Sequence, residues 1–208
     1  MSYIYLDTET TGFKPGQIAQ LSYIEEDGGR IVGADNLYFK VDNMPEETEK
    51  VHGLSTDKLV ELSGGQVFSD RADELYSKFK DATMIAHNSN FDLKFLSAEF
   101  WRCGVMYSPA ATIDTMKIFT PILKLPRRNY SGPSKEVYKF PNLGEVGNYY
   151  GISDKIALMF ANRVYGCKEG IGLHDSRFDT SIMFLATMLY REDLSGGNAW
   201  HTLVDNNR

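Results

Sequence analysis

The sequence predicts an α/β fold on a mixed β-sheet, with three antiparallel N-terminal strands, further parallel strands and flanking helices. Three observations lead there. The chain opens on an apolar strand, Tyr3–Gly12, and Gln17–Glu25 and Arg30–Val41 follow as two more runs rich in strand formers. Between those two runs, Asp27-Gly28-Gly29 supplies glycines where a tight hairpin needs positive φ. Further along, short apolar strands at Thr83–His87 and Ala111–Asp114 each precede a helical pattern, and strand then helix, twice over, marks an α/β chain.

The remaining elements follow in order. Asn43–Leu62 is polar, contains Pro45 and reads as a loop with short helical turns around Glu46–His52 and Thr56–Leu62. Gln66–Asp81 places Phe68, Ala72, Leu75 and Phe79 at helical spacing, predicting one amphipathic helix. Asn90 is read as the N-cap of a helix to about Arg102, with Phe91, Phe95, Leu96 and Phe100 on its buried stripe. Thr115–Leu125 reads as a helix closed by Pro126, and Asn142–Gly151 and Asp154–Gly166 as helices ended by glycine. Asp175–Arg191 is the last helix, with Phe178, Ile182, Leu185 and Leu189 inward. Residues 1–194 are thus expected to form one domain, and the polar stretch Ser195–Arg208 a fraying tail.

Composition narrows the function classes. A net charge of −6 argues against holding a polyanion by whole-molecule attraction, so any nucleic-acid contact must be local. Two cysteines, Cys103 and Cys167, cannot staple a secreted fold and lack zinc spacing. No run approaches the ~20 apolar residues that span a bilayer. A soluble, intracellular, cytoplasmic protein without membrane contact is expected.

Acids carry the chemistry. Asp7 and Glu9 stand at the end of the first strand, two apart, and so point to one face with Thr8 opposite. Like charges this close either raise a pKa or require a cation, and hard oxygen ligands suit Mg²⁺ or Mn²⁺. On this pair alone the blander alternative, that Asp7 ends the strand and Glu9 is solvated, stays open. Asp92 follows the buried strand in the first turn of a helix, a junction where ligands sit in open α/β sheets. Its alternative role is to complement the helix dipole. Near the end, His174-Asp175-Ser176-Arg177-Phe178-Asp179 offers a histidine and two acids. Asp175 and Asp179 share a helix face, whereas His174 and Asp179 would lie about 140° apart on a helix, so His174 belongs in the preceding loop.

Together, Asp7-x-Glu9, Asn88–Asp92 and His174 with Asp179 closely resemble the three motifs of the DEDDh, or DnaQ-like, family of 3′–5′ exonucleases in the RNase H-like superfamily. The likeness extends to Asp7-Thr8-Glu9-Thr10-Thr11-Gly12, Val51-His52-Gly53-Leu54-Ser55 and Ile113-Asp114-Thr115, and runs from about Tyr3 to Leu189. It implies an RNase H-like sheet, with Asp7, Glu9, Asp92 and Asp179 holding two Mg²⁺ or Mn²⁺ ions, Asp7 bridging them, and His174 as general base. The implied partner is the 3′ end of a single strand, with Thr10, Thr11 and Phe91 as candidates for contacting the terminal nucleotide. Asp175 and Thr180 depart from the small residues common around the last motif, and Asp175 is the next group to test as base. DNA is favoured as the substrate, with an RNA-directed 3′–5′ exoribonuclease of the same fold as the alternative; a polymerase or other replication or repair partner and the oligomeric state stay open. A non-catalytic nucleic-acid-binding module is the rival class, weakened because such a module has no need of repelling carboxylates.

One stretch stands apart. Arg127–Lys139 gathers Arg127, Arg128, Lys135 and Lys139 against Glu136, with Tyr130 and Tyr138. It is read either as a solvated surface loop or as an arm whose arginines, Arg127 and Arg128, hold phosphates of a single strand.

Overall fold

The computed structural model describes residues 2–127, 138–166, 171 and 175–193. Three strands, β1 (Tyr3–Thr10), β2 (Ile18–Asp27) and β3 (Arg30–Tyr38), form the antiparallel part, and β4 (Thr83–Ala86) and β5 (Ala111–Asp114) add parallel to β1. The order is β3-β2-β1-β4-β5, with β1 central. The predicted turn is present, with Gly28 and Gly29 at φ 56° and 81° between the paired Asp27 and Arg30. β3 stops at Tyr38, short of the expected Val41.

Helices cover both faces: α1 (Glu46–His52), α2 (Thr56–Ser63), α3 (Ala72–Phe79), α4 (Ser89–Arg102), α5 (Thr115–Leu123), α6 (Leu143–Tyr149), α7 (Asp154–Tyr165) and α8 (Ser176–Asp193). The period of a strand sorts β1 between them. Ile4 and Leu6 pack with Phe79, Phe95, Leu96 and Phe100 of α3 and α4, whereas Tyr3 and Tyr5 pack with Met183 and Phe184 of α8. Asp7 and Glu9 continue the Tyr3, Tyr5 series and therefore face α8. Substituting Phe100→Ala empties a fully buried site ringed by Phe68, Tyr76 and Tyr107, at 5.2, 5.9 and 4.7 Å between ring centres. We expect a loss of about 3–5 kcal/mol, read as a lower denaturation midpoint at unchanged m.

Four expectations are corrected. Gln66–Asp81 is not one helix: a 3₁₀ turn at Phe68–Asp70 precedes α3, because the Asp70 carboxylate accepts the Val67 N–H at 2.9 Å and Arg71 intervenes at φ −116°, ψ 0°. Asn90 is exposed and does not cap α4; the helix begins at Ser89, after Asn88 in the left-handed region at φ 74°. α5 ends at Leu123, not Leu125, because Pro121 withholds a backbone donor and Lys124 turns left-handed at φ 50°. On α8, Phe178 and Ile182 are buried as expected, but Leu189 is 37% exposed because Tyr190 takes the inward position against Phe119.

The stretch from Arg127 to Lys139 is closed at its base by a Pro126–Tyr138 bridge and by Lys139 N–H donating to the Leu125 carbonyl at 3.0 Å. Arg128 and the tail Ser195–Arg208 lie outside the described residues. No helix among the described residues is long and apolar enough to cross a membrane.

Candidate active site

The acids converge at the carboxyl end of β1. Beside them the β1–β2 ladder slips: Glu9 pairs Gln20 but Thr10 pairs Ile18, leaving Ala19 extra in β2. The kink recurs where strands re-aim side chains near functional sites. The Glu99 carboxylate accepts the Ile18 N–H at 2.8 Å across it, so the bulge is fixed by a buried acid of α4.

α8 approaches this face closely because its contact residues are small. Ser176 meets Ser22 oxygen to oxygen at 2.6 Å, and the Thr180 hydroxyl donates to the Ser22 carbonyl at 3.5 Å. Ser22 is the cross-strand neighbour of Asp7. One turn into α8, Asp179 arrives beside Asp7 and Glu9, and one carboxylate oxygen from each of the three lies within 4.8 Å of the others. All three are partly buried.

Asp92 comes from the other side. It is 3% exposed, and its Oδ1 accepts both the Thr8 hydroxyl at 2.8 Å and the Thr8 N–H at 3.1 Å. The structure thus groups three of the four sequence-selected acids and ties the fourth to the residue between the first two. The junction that presents Asp92 is held as well: the Asp114 carboxylate accepts the Asn88 N–H and the Met116 N–H, each at 3.1 Å.

Electrostatics shows the strain of crowding carboxylates. Loss of hydration, then the charges of Asp179, Asp175 and Asp92, push Glu9 up to about 8. Asp7 is raised well above the carboxylate range by burial, then by Asp179, Asp92 and Glu9. Burial raises Asp92 to about 7 against the opposing pull of its Thr8 hydrogen bonds.

Other selected residues take varied places. The Thr10 hydroxyl donates to the Gly12 carbonyl at 2.9 Å, and Thr11 is held to Gln17, its N–H donating to the Gln17 carbonyl and its hydroxyl accepting the Gln17 N–H, both at 3.0 Å. Phe91 is partly buried against Phe95. Arg127 is exposed, and His174 lies outside the described residues. Two residues not selected as site candidates stand beside the acidic strand's end, and only His52 lies within a segment that carries the resemblance. Phe13 is 92% exposed in the loop directly after the acidic strand, and an aromatic next to Gly12 was the signal. His52 caps the same loop, its Nε2 3.3 Å from the Thr10 carbonyl and its Nδ1 accepting the Leu54 N–H at 3.1 Å.

Residues 4–145 match the model of the RNase T exonuclease family. The chain belongs to this family. Among curated relatives, the 3′-5′ exonuclease DinG of Staphylococcus aureus is 30% identical over 120 residues, 57% of this chain but only 13% of DinG. Among solved structures, Exonuclease X in complex with 5′ overhanging duplex DNA superposes with a TM-score of 0.61 at 15% identity, covering 92% of each chain. E. coli Exonuclease I in complex with a 5cy-dT13 oligonucleotide gives 0.69 at 16% identity, over 99% of this chain and 42% of that one. These likenesses establish the RNase H-like fold for this RNase T family member, as the motif resemblance implied.

Proposed function

We propose that the chain is a metal-dependent 3′–5′ exonuclease that hydrolyses single-stranded nucleic acid, DNA in preference to RNA, and releases nucleoside 5′-monophosphates. The observation that carries this reading is the meeting of Asp7, Glu9 and Asp179, with Asp92 tied beside them through Thr8. Its relatives, a 3′-5′ exonuclease and nucleases solved in complex with duplex DNA and with a dT13 oligonucleotide, support the substrate class.

The donor set suits Mg²⁺ or Mn²⁺: every contributor is a carboxylate oxygen. An octahedral ion with ligands at 2.0–2.1 Å would set adjacent oxygens about 2.9 Å apart, closer than the 4.8 Å within which these three carboxylate oxygens lie. Two ions bound there would lower the pKa of a water and neutralise charge on the attacking and leaving oxygens. Asp7, Glu9 and Asp179 would hold the ions, with Asp92 supporting them from beside Thr8. His174 accepts the proton of the attacking water and must be neutral to do so. Phe13 and Phe91 offer stacking faces to the terminal bases, Thr10 and Thr11 line the approach, and Arg127 and Arg128 hold phosphates upstream. A cytoplasmic setting belongs to the same proposal, since the free thiol of Cys103 needs no oxidising compartment.

The test is degradation of matched 5′-labelled single-stranded DNA and RNA. With Mg²⁺ or Mn²⁺ we expect stepwise shortening from the 3′ end, faster on DNA, and none in EDTA. Undiminished cleavage in EDTA would overturn the metal reading, and faster loss of RNA would reassign the substrate.

A further inference from the structure

Two acids stand one turn apart at the start of α8, yet only Asp179 joins Asp7 and Glu9. Asp175 is close enough for its charge to help push both Glu9 and Asp7 upward. The carboxylate of Asp175 is held on both oxygens. Oδ1 accepts the Arg177 backbone N–H at 3.0 Å, Arg177 Nε at 2.8 Å and the Gln20 amide at 3.0 Å, and Oδ2 accepts Arg177 Nη2 at 2.5 Å.

Arg177 is itself fixed. It is 5% exposed, its Nη2 donates to the Tyr38 hydroxyl at 3.0 Å, and its guanidinium carbon lies 5.8 Å from the Tyr38 ring centre. Gln20, the cross-strand neighbour of Glu9, also donates to Asn36 at 2.8 Å. The clamp therefore ties the start of α8 to β2 and β3 beside the acid cluster, through the cross-strand partner of Glu9.

Stability alone is a poor account of such a pair, because burying an ion pair costs desolvation that apolar residues of like volume avoid. A carboxylate left loose at this point would be an additional hard oxygen donor beside the other three. We propose that Arg177 is a positioning residue that withholds Asp175 from the metal centre, so that α8 contributes Asp179 alone. The inference rests on the metal-dependent reading above. The bidentate fork is what the task requires, since it occupies both oxygens at once, which a lysine cannot.

The proposal fixes an unusual sign. Removing the guanidinium deletes a positive charge and frees a ligand, so divalent ions should bind more tightly. Catalysis should nevertheless fall, because the extra carboxylate takes a coordination position that water or substrate needs. A merely structural role predicts weaker or unchanged metal binding.

The experiment measures Mn²⁺ binding to the full chain by electron paramagnetic resonance, alongside turnover at saturating Mn²⁺. Arg177→Met should bind Mn²⁺ about tenfold more tightly and turn over about 10- to 100-fold more slowly, the range for disturbed outer-shell partners of metal ligands. Arg177→Met with Asp175→Asn should return both quantities toward wild type. If Arg177→Met fails to fold, Arg177→Lys, which keeps the charge and loses the fork, is read in the same direction. Unchanged or weakened Mn²⁺ binding in the folded single variant overturns the inference. Absence of Mn²⁺ binding in the wild type overturns the metal-dependent reading instead, so the two failures are distinguishable.

Discussion

Asp7→Asn is expected to lower hydrolysis by at least about 10³-fold while raising the melting temperature of the metal-free protein. The two effects have one cause. Asp7 is raised by burial and by four neighbouring carboxylates, so in the absence of cations its charge opposes folding. With cations present, that charge is one of those proposed to hold the ions. Losing it forfeits several kcal/mol of charge stabilisation in the transition state, and each 1.36 kcal/mol is a factor of ten in rate. Asparagine keeps the shape and one acceptor oxygen, which isolates the charge. Turnover is measured on end-labelled single strands, and stability by thermal melts in EDTA. Near-wild-type hydrolysis by the folded variant would sink the assignment of Asp7, and a lowered melting temperature in EDTA would sink the account of crowded charge.

Much of this site was legible in the chain because its parts are local. The period of two that sends Asp7 and Glu9 to one face needs no tertiary knowledge, and the structure adds that this face is the one covered by α8. The junction carrying Asp92 was placed from an apolar strand and a helical stripe, but its mechanics were not. Asn88 enters the left-handed region with its N–H on Asp114, 26 residues away, and no local pattern announces that partner. The bulge at Ala19 was invisible for the same reason, since it is defined by register against β1 and by Glu99 from α4. Asp175 shows the converse. Spacing alone made it an equal of Asp179, one turn away on the same face; the motif resemblance chose Asp179, and the structure adds the fork of Arg177 and the Gln20 amide that hold Asp175 while Asp179 joins Asp7 and Glu9. Helix periodicity also over-reached at Leu189, where Tyr190 reaches Phe119 and displaces it from the buried stripe.

The metal-free protein should lose stability as pH rises from about 5 to about 8, and divalent ions should reverse that loss most strongly at the upper end. Glu9 titrates near 8 and Asp92 near 7 in the folded chain, first through burial and, for Glu9, then through the charges of Asp179 and Asp175. In the unfolded chain such groups titrate at about 4. Between those limits the folded state binds more protons than the unfolded state, so the slope of unfolding free energy with pH is negative. The stabilising contribution is complete below about 4 and is lost as pH climbs through the folded values, after which it is flat. Cations bind the ionised carboxylates and release their protons, so the stabilisation they add grows over the same interval. Melting temperatures in EDTA and in saturating Mg²⁺, taken from about pH 5 to about pH 9, read both effects, and Glu9→Gln should flatten the EDTA curve between about 7 and 8. An EDTA curve that rises through this interval, or a Mg²⁺ increment independent of pH, would show that the three carboxylates do not share a strained, cation-seeking site.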